Sequence, residues 1–350
     1  LAHNGNLPDV AMLSRALHDA GVDTAGANDS EMMQAALEYQ LARGASLPEA
    51  VRECFPLFTG AFSLALLTTG ALAAMRDVCG IRPLALGLVG DGYVLSSETC
   101  AIDAIGGTFL RDVRPGELIV IDEHGLHSTQ VAPGNESLDI FEFVYFARPD
   151  SILLGRRVNE VRRQLGIRLA GEHRVDADVV IPVPDSGIPA AIGYSGAAGI
   201  PLDFGLVKNR YIHRTFIRPA QGLRESGVAM KLNPIPEVLR DKRVAVVDDS
   251  VVRGTTSRQI VRMLRGAGAR EVHYLVSSPP VKFPDIYGID LPRTTDLLAA
   301  TMSVEEIGRF IGADSIGYLS YEGMIAATGL PEDRFCTSCF SGVYPLAAPD

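Results

Sequence analysis

Arg243-Val-Ala-Val-Val-Asp-Asp-Ser-Val-Val-Arg-Gly-Thr-Thr-Ser257 is the stretch on which the fold turns. Val244 to Val247 form a short unbroken apolar run rich in β-branched residues, which predicts a buried strand of a parallel sheet. Two carboxylates, Asp248 and Asp249, follow at its C-terminal end, the edge where open α/β sheets gather their ligands. Gly254, Thr255, Thr256 and Ser257 then lead into a predicted helix from about Ser257, with Ile260, Val261, Met263 and Leu264 on one face and Gly266 and Gly268 as its stop.

Free backbone N–H groups at a helix start cradle a phosphate, and Thr and Ser hydroxyls add donors. A carboxylate pair just upstream would repel that phosphate; it suits sugar hydroxyls, or a Mg²⁺ ion held jointly with a pyrophosphate. Asp-Asp by itself also fits a strand–turn–helix with a solvated acidic turn. The whole string resembles the phosphoribosyl pyrophosphate (PRPP) signature of type I phosphoribosyltransferases. On that resemblance Asp248, Asp249, Ser250, Arg253, Gly254, Thr255, Thr256 and Ser257 bind PRPP, with the two aspartates as candidate Mg²⁺ residues.

Working outward, 350 residues allow two domains, and 47% hydrophobic with 21% charged residues allows ordinary cores. A formal charge of −10 argues against general nucleic-acid binding. No apolar run reaches the ~20 residues of a membrane span. Five cysteines in a chain this long do not make a disulfide framework, so a reducing cytoplasm is expected. The opening Leu1-Ala2-His3-Asn4-Gly5-Asn6 has no initiator Met and no signal-peptide pattern, and the expectation is a fragment without its natural beginning.

In the first third, Asn4-Gly5-Asn6 reads as a turn after a short strand, followed by a helix over about 8–20. Asp29 or Ser30 is the expected cap of the next helix, which runs to about Ala42, and a third covers about 48–54. Antiparallel strands follow, with hairpin signals at Gly90-Asp91-Gly92 and Asp122-Glu123-His124-Gly125. LAHNGN, Asn28 to Glu31, Arg76-Asp77 with Gly80-Ile81-Arg82-Pro83-Leu84, and Ser96-Ser97-Glu98 resemble the glutaminase domain of the glutamine PRPP amidotransferase family, an N-terminal-nucleophile hydrolase. In that family an N-terminal Cys attacks the glutamine amide with its own α-amine as base. The resemblance makes Asn4 and Gly5 the oxyanion hole and Asp29 the holder of the glutamine α-amino group. The nucleophile is not among these residues, and Cys54, Cys79 and Cys100 are internal and read as small core residues, so dependence on ammonia rather than glutamine is expected.

Residues 132–138 read as a link. Beyond it a strand is expected from Ile140, then a helix over about 156–172 and a buried strand over 178–183. Asp185, Ser186 and Gly187 form a tight turn whose backbone could meet a pyrophosphate. The basic stretch from Lys208 through Arg210 and Arg214 reads as a solvated loop or as phosphate contacts. Its KNRYxxRTF pattern resembles the amidotransferase family, which makes these three residues PRPP ligands on a segment that closes over substrate, and His213 a loop residue.

The expected fold class is therefore an incomplete αββα N-terminal-nucleophile hydrolase domain (1–131), a link (132–138), and a type I phosphoribosyltransferase parallel-sheet domain (139–350). The resemblance also implies a [4Fe-4S] cluster in many members, held by a pair like Cys336 and Cys339 plus two distant cysteines; here those positions are Asp139 and Asp285. Carboxylates are poor soft-metal ligands beside thiolates. Loss of the cluster is expected, with a mixed Cys–Asp iron–sulfur or zinc site as the alternative. The implied reaction forms 5-phosphoribosylamine and pyrophosphate from PRPP and glutamine-derived ammonia, the first step of de novo purine synthesis. Feedback inhibition by purine nucleotides and a homo-oligomer are implied too. The alternative is a non-catalytic PRPP-sensing regulator, which should lack the glutaminase motifs and KNRYxxRTF.

Overall fold

The computed structural model describes residues 1–209, 232–289, 291 and 293–346. In the first part, β1 (Ala2–Asp9), β2 (Thr59–Leu67), β3 (Leu72–Arg76), β7 (Glu117–Asp122) and β8 (Gly125–Gln130) form an antiparallel sheet in the order β1-β2-β3-β7-β8. β4 (Ala85–Val89) lies between β5 (Gly92–Ser96) and β6 (Thr108–Asp112) in a second sheet. Successive side chains of a strand point to opposite faces. Phe62, Leu64, Ala73, Met75, Leu118 and Val120 accordingly join Leu13, Leu17, Met33, Leu37 and Val51 from helices α1 (Ala11–Asp19), α2 (Asp29–Ala42) and α3 (Leu47–Cys54). The alternate residues Ala74 and Ile119 pack instead with Leu84, Leu86 and Val113 of the smaller sheet's side. Helix α4 (Thr99–Ala104) lies against that sheet, with Ile102 where a Cβ on Gly87 would be 2.8 Å away.

Two local expectations are corrected here. Asn4-Gly5-Asn6 is not a turn: it lies inside β1, paired with Ser63, Phe62 and Ala61 of β2, so the helix starts at Ala11 rather than near Pro8. Gly5 is needed because its φ is +149° and a Cβ would sit 2.0 Å from the Ala61 carbonyl oxygen. The cap of α2 is Asn28, not Asp29 or Ser30: its side chain accepts from Glu31 N while the Glu31 carboxylate accepts from Asn28 N.

The second part holds a parallel sheet of β9 (Val179–Pro182), β10 (Arg243–Asp248), β11 (Glu271–Val276) and β12 (Ser315–Tyr318), in that order. Alternation again sorts its core. Val180, Ala245, Val247 and Leu275 face Val161, Leu165, Leu169, Ala190 and Tyr194 of α5 (Val158–Glu172) and α6 (Ile188–Ala198). Val179, Ile181, Val244, Val246, Val272 and Tyr274 face Ile260, Val261, Leu264, Ile307 and Ile311 of α7 (Thr255–Gly266) and α8 (Val304–Ile311). Burial of both faces is what the unbroken apolar runs anticipate.

Residues from Ile140 do not continue as a strand. Leu138–Asp139 is a two-residue strand parallel to Phe335–Cys336, and Glu142–Phe146 is then a π-helical turn. Such a turn leaves carbonyls outside the regular ladder. The buried guanidinium of Arg162 meets them, with Nε donating to Phe143 O at 2.8 Å and Nη2 to Ala147 O at 2.8 Å. Phe141 stacks on Phe340 with centroids 6.0 Å apart. Packing and this arginine, rather than local propensity, set the conformation.

Among the described residues no helix is long and apolar enough to cross a membrane.

Candidate active site

β10 is flanked on both sides by parallel neighbours, so its carboxyl end opens between two crossover connections, and Asp248 and Asp249 stand there. Both are only 6% exposed. Asp248 Oδ2 accepts from the Tyr274 hydroxyl of β11 at 2.5 Å, and its Oδ1 accepts from Asp249 N at 3.0 Å. Asp249 accepts from Ser250 Oγ at 2.6 Å and from Ser186 Oγ, which reaches across from the turn after β9. Burial pushes both carboxyls up, and the charge of Asp249 adds to the rise at Asp248. At Asp249 the two seryl donors and the nearby Arg162 guanidinium oppose that rise. Among the described residues, the pair is thus held in place by hydroxyls rather than by a contacting cation.

The helix start lies beside it. Gly254 caps α7 in the left-handed region at φ +66°, and a Cβ there would come 2.3 Å from Leu298 Cδ1. Among the described residues no side chain caps α7, so its first N–H groups can meet a phosphate, with Thr255 and Thr256 exposed beside them. Ser257 is placed differently: it is buried near the Tyr274 hydroxyl rather than exposed at the mouth of the loop. Across the opening, Asp185, Ser186 and Gly187 form the turn into α6, and Lys208 Nζ pairs with Asp185 Oδ2 at 2.7 Å. Lys208 belongs to Leu206–Lys208, which pairs antiparallel with Leu232–Pro234. Arg210 and Arg214 lie outside the described residues, as does His213. Ser250 and Arg253 sit half-buried in the loop.

Sequence reasoning missed two residues that shape this site. Tyr274 clamps Asp248, and Arg162 places a buried cation near Asp249. A signal existed for the second: Arg162 falls on the same helix face as Val158, Val161, Leu165 and Leu169, where a charge is expensive unless it has partners.

The glutaminase motifs also converge. Arg82 Nε donates to Asn4 Oδ1 at 3.2 Å, which fixes the amide so that Nδ2 is the donor; Nδ2 reaches Ser97 Oγ at 3.4 Å. Gly5 follows in the same strand. Asp29, at the first turn of α2, accepts from Leu7 N at 3.0 Å and Ser30 N at 2.7 Å, which ties it to β1. Arg76 and Asp77 hold the Gly80–Leu84 loop instead of facing substrate: Arg76 donates to the carbonyls of Gly80, Arg82 and Val113, and Asp77 accepts from Phe62 N and Cys79 N. Burial pushes Asp77 up to about 6 against the Arg76 charge and these donors. All five cysteines are free and buried, and burial pushes Cys54 up to about 12 and Cys79 up to about 11, which marks them as core thiols rather than nucleophiles.

Asp139, Asp285, Cys336 and Cys339 are drawn to one place. Asp139 pairs with Cys336 in the strand ladder, and both aspartates face the two thiols electrostatically. Among the described residues, however, no three His, Cys, Asp or Glu side chains converge closely enough to hold one metal ion. Asp139 Oδ1 accepts from Phe141 N at 2.9 Å, and Asp285 Oδ1 from Tyr287 N at 2.8 Å and Ile289 N at 2.9 Å. These donors do not fit a four-ligand cluster. Asp248 and Asp249 do fit Mg²⁺, whose sites use one or two carboxylates and leave the remaining positions to substrate oxygens and water.

Two family models match the chain: a glutamine amidotransferase domain over residues 1–104 and a phosphoribosyl transferase domain over 158–278. The amidophosphoribosyltransferase of Synechococcus elongatus is 49% identical over all of this chain and 72% of its own length, and that of Bacillus subtilis 45% over 99% and 73%. A solved structure of the B. subtilis glutamine PRPP amidotransferase, complexed with ADP and GMP, superposes with a TM-score of 0.91 at 44% identity, covering 99% of this chain and 77% of that one. At this identity over nearly its whole length, the chain belongs to the amidophosphoribosyltransferase family, enzymes that form 5-phosphoribosylamine and pyrophosphate from PRPP and glutamine-derived ammonia.

Proposed function

We propose that the end of β10 is the PRPP site, with Asp248 and Asp249 on the ribose hydroxyls or on the Mg²⁺ that the pyrophosphate carries. The observation that carries this is their position: two buried carboxylates aligned by hydroxyls at the carboxyl edge of a parallel sheet, next to an uncapped helix start. The first N–H groups of α7, with Thr255 and Thr256, bind the 5-phosphate. The Asp185–Gly187 turn and Lys208 meet the pyrophosphate, and substrate would draw Lys208 from Asp185. Arg210 and Arg214 complete the cationic side. Mg²⁺, when bound, supplies positive charge to the departing pyrophosphate. The carboxylates favour the positive charge that grows at the sugar carbon as the bond to pyrophosphate breaks. No protein nucleophile is needed; ammonia attacks the carbon directly. Ser257 and Arg253 support the loop.

In the glutaminase half, Asn4 and Gly5 receive the oxyanion and Asp29 holds the glutamine amino group. The division at 132–138 is supported by the ladder that begins at Leu138 and by the hydrophobic clusters on either side. A cytoplasmic setting suits five free thiols. Purine-nucleotide control and homo-oligomer formation are family expectations, the former in keeping with the ADP and GMP bound in the solved relative.

The test is pyrophosphate release from PRPP and Mg²⁺ with ammonium as nitrogen donor. Asp249→Asn should lower kcat/KM on the order of 100-fold or more with the melting temperature preserved, the loss typical of removing one preorganised charge-stabilising group. Unchanged kinetics in that variant would remove the carboxylate pair from the mechanism.

A further inference from the structure

The cluster of Asp139, Asp285, Cys336 and Cys339 does not act on PRPP, yet it is one of the most polar places in the interior. Asp139 and Asp285 are 2% and 6% exposed, Cys336 and Cys339 2% and 1%. What lies among them is an arginine from the other half of the chain. Arg82 Nη1 is 3.6 Å from Asp139 Oδ2, and Nη2 is 3.0 Å from Glu142 Oε1. Its field reaches Asp285 as well. Arg82 Nη1, Asp139 Oδ2 and Asp285 Oδ2 are buried atoms without hydrogen-bond partners, and the first two face each other as an ion pair across the two halves. Apolar contacts surround them: Cys79 and Ile81 of the first part share a cluster with Tyr287 and Cys336 of the second.

We propose that this node is a metal-free ionic latch, in which the Arg82 guanidinium, held by Asp139 and Glu142 and facing Asp285, fastens the glutaminase and transferase halves where the family's cluster would otherwise be ligated. Three observations support it. The would-be ligands Asp139 and Asp285 already use one oxygen each to fix their own loops. A guanidinium beside Asp139 competes with a metal cation for the remaining oxygen. The same arginine bonds Asn4 through Nε, so the latch also orients the proposed oxyanion-hole amide. Each half supplies only part of the node, which explains why hard anionic residues are useful at positions a soft metal would leave to thiolates.

The experiment uses the full 350-residue chain, incubated anaerobically with ferrous iron and sulfide, or with zinc chloride, then desalted. Expected are less than about 0.1 metal per chain by mass spectrometry and no visible absorption band. Stoichiometric iron and sulfide, or stoichiometric zinc, lost on replacing Cys336 and Cys339 by Ala, overturns the proposal. A second comparison tests the latch itself. Arg82→Gln should lower the melting temperature and speed proteolysis at residues 132–138 more than the Cys336→Ala/Cys339→Ala pair does, with Arg82→Lys intermediate. A larger loss in the cysteine pair than in Arg82→Gln would equally overturn it. Neither readout depends on catalysis, so failure here is distinct from failure of the PRPP assignment.

Discussion

Thr255, Thr256 and Ser257 are three consecutive hydroxyls in two different settings. The first two are exposed at the start of α7, while the third is buried against Tyr274 and so braces the strand that holds Asp248. Removing a hydroxyl that binds a charged phosphate costs about 1.5–3 kcal/mol, which corresponds to roughly 10- to 100-fold in binding. Thr256→Val should therefore raise the KM for PRPP about 10-fold with an unchanged melting curve. Ser257→Ala should do the reverse, lowering the melting temperature by a few degrees with KM within about twofold. Steady-state kinetics and calorimetry on the two variants check this, and equal effects on KM would show that both serve the phosphate. The sequence places all three hydroxyls at the helix start, and what it does not show is the partner of the third. The helix period puts Ser257 on the face of Ile260, Val261 and Leu264, whereas its partner Tyr274 comes from a different strand.

At the scale of elements, regular segments were legible and irregular ones were not. β10 and its neighbours followed from apolar runs too short for helices, and α7 followed from its period. Asn4-Gly5-Asn6 suits a turn because Asn-Gly ordinarily marks one; what makes it a strand is the close approach of β2 to Gly5, a tertiary fact. The alternating aromatics after Ile140 suit the expected strand, while the π-turn found there depends on Arg162, which comes from a separate element, α5. This dependence is measurable. Arg162→Met preserves the apolar stem of the side chain but leaves buried carbonyls of Phe143 and Ala147 without donors, at about 1–3 kcal/mol for each group. Urea denaturation should show a loss of about 3 kcal/mol. A PRPP titration should show weakened binding, since the cation near Asp249 is removed; a stability loss under about 0.5 kcal/mol in urea would mean that water replaces the guanidinium.

At the scale of the whole molecule, ion pairs join layers beside the apolar cores. Glu117 on β7 takes a bidentate pair from Arg111 on β6, at 2.7 and 2.8 Å, so it ties the two sheets of the glutaminase half. Burial alone would raise its pKa, but Arg111, Ser128 and Arg114 N outweigh burial and bring it down to about 2. A depressed carboxyl stabilises the fold above its unfolded pKa, and that contribution is lost as pH falls from about 4.5 toward 2. Asp77, raised to about 6, has the opposite sign: its burial penalises the ionised form, so stability is gained as pH falls from about 6 toward 4. The melting-temperature gap between the parent and Glu117→Gln should therefore shrink steadily below pH 4.5, and a gap constant to pH 3 would rule the pairing out as a source of stability. The joint between the halves is spread out in the same way. Glu98 accepts from Arg148 N and Ser151 Oγ, both at 2.7 Å; Asn6 Nδ2 donates to Ile286 O at 2.8 Å; and a Cβ on Gly288 would lie 3.0 Å from Gly5 O. These contacts lie outside residues 132–138, so they hold the two halves together independently of the covalent tether. A chain nicked there should persist as a tight two-fragment complex through gel filtration, and the two pieces, coexpressed, should find each other as a split enzyme.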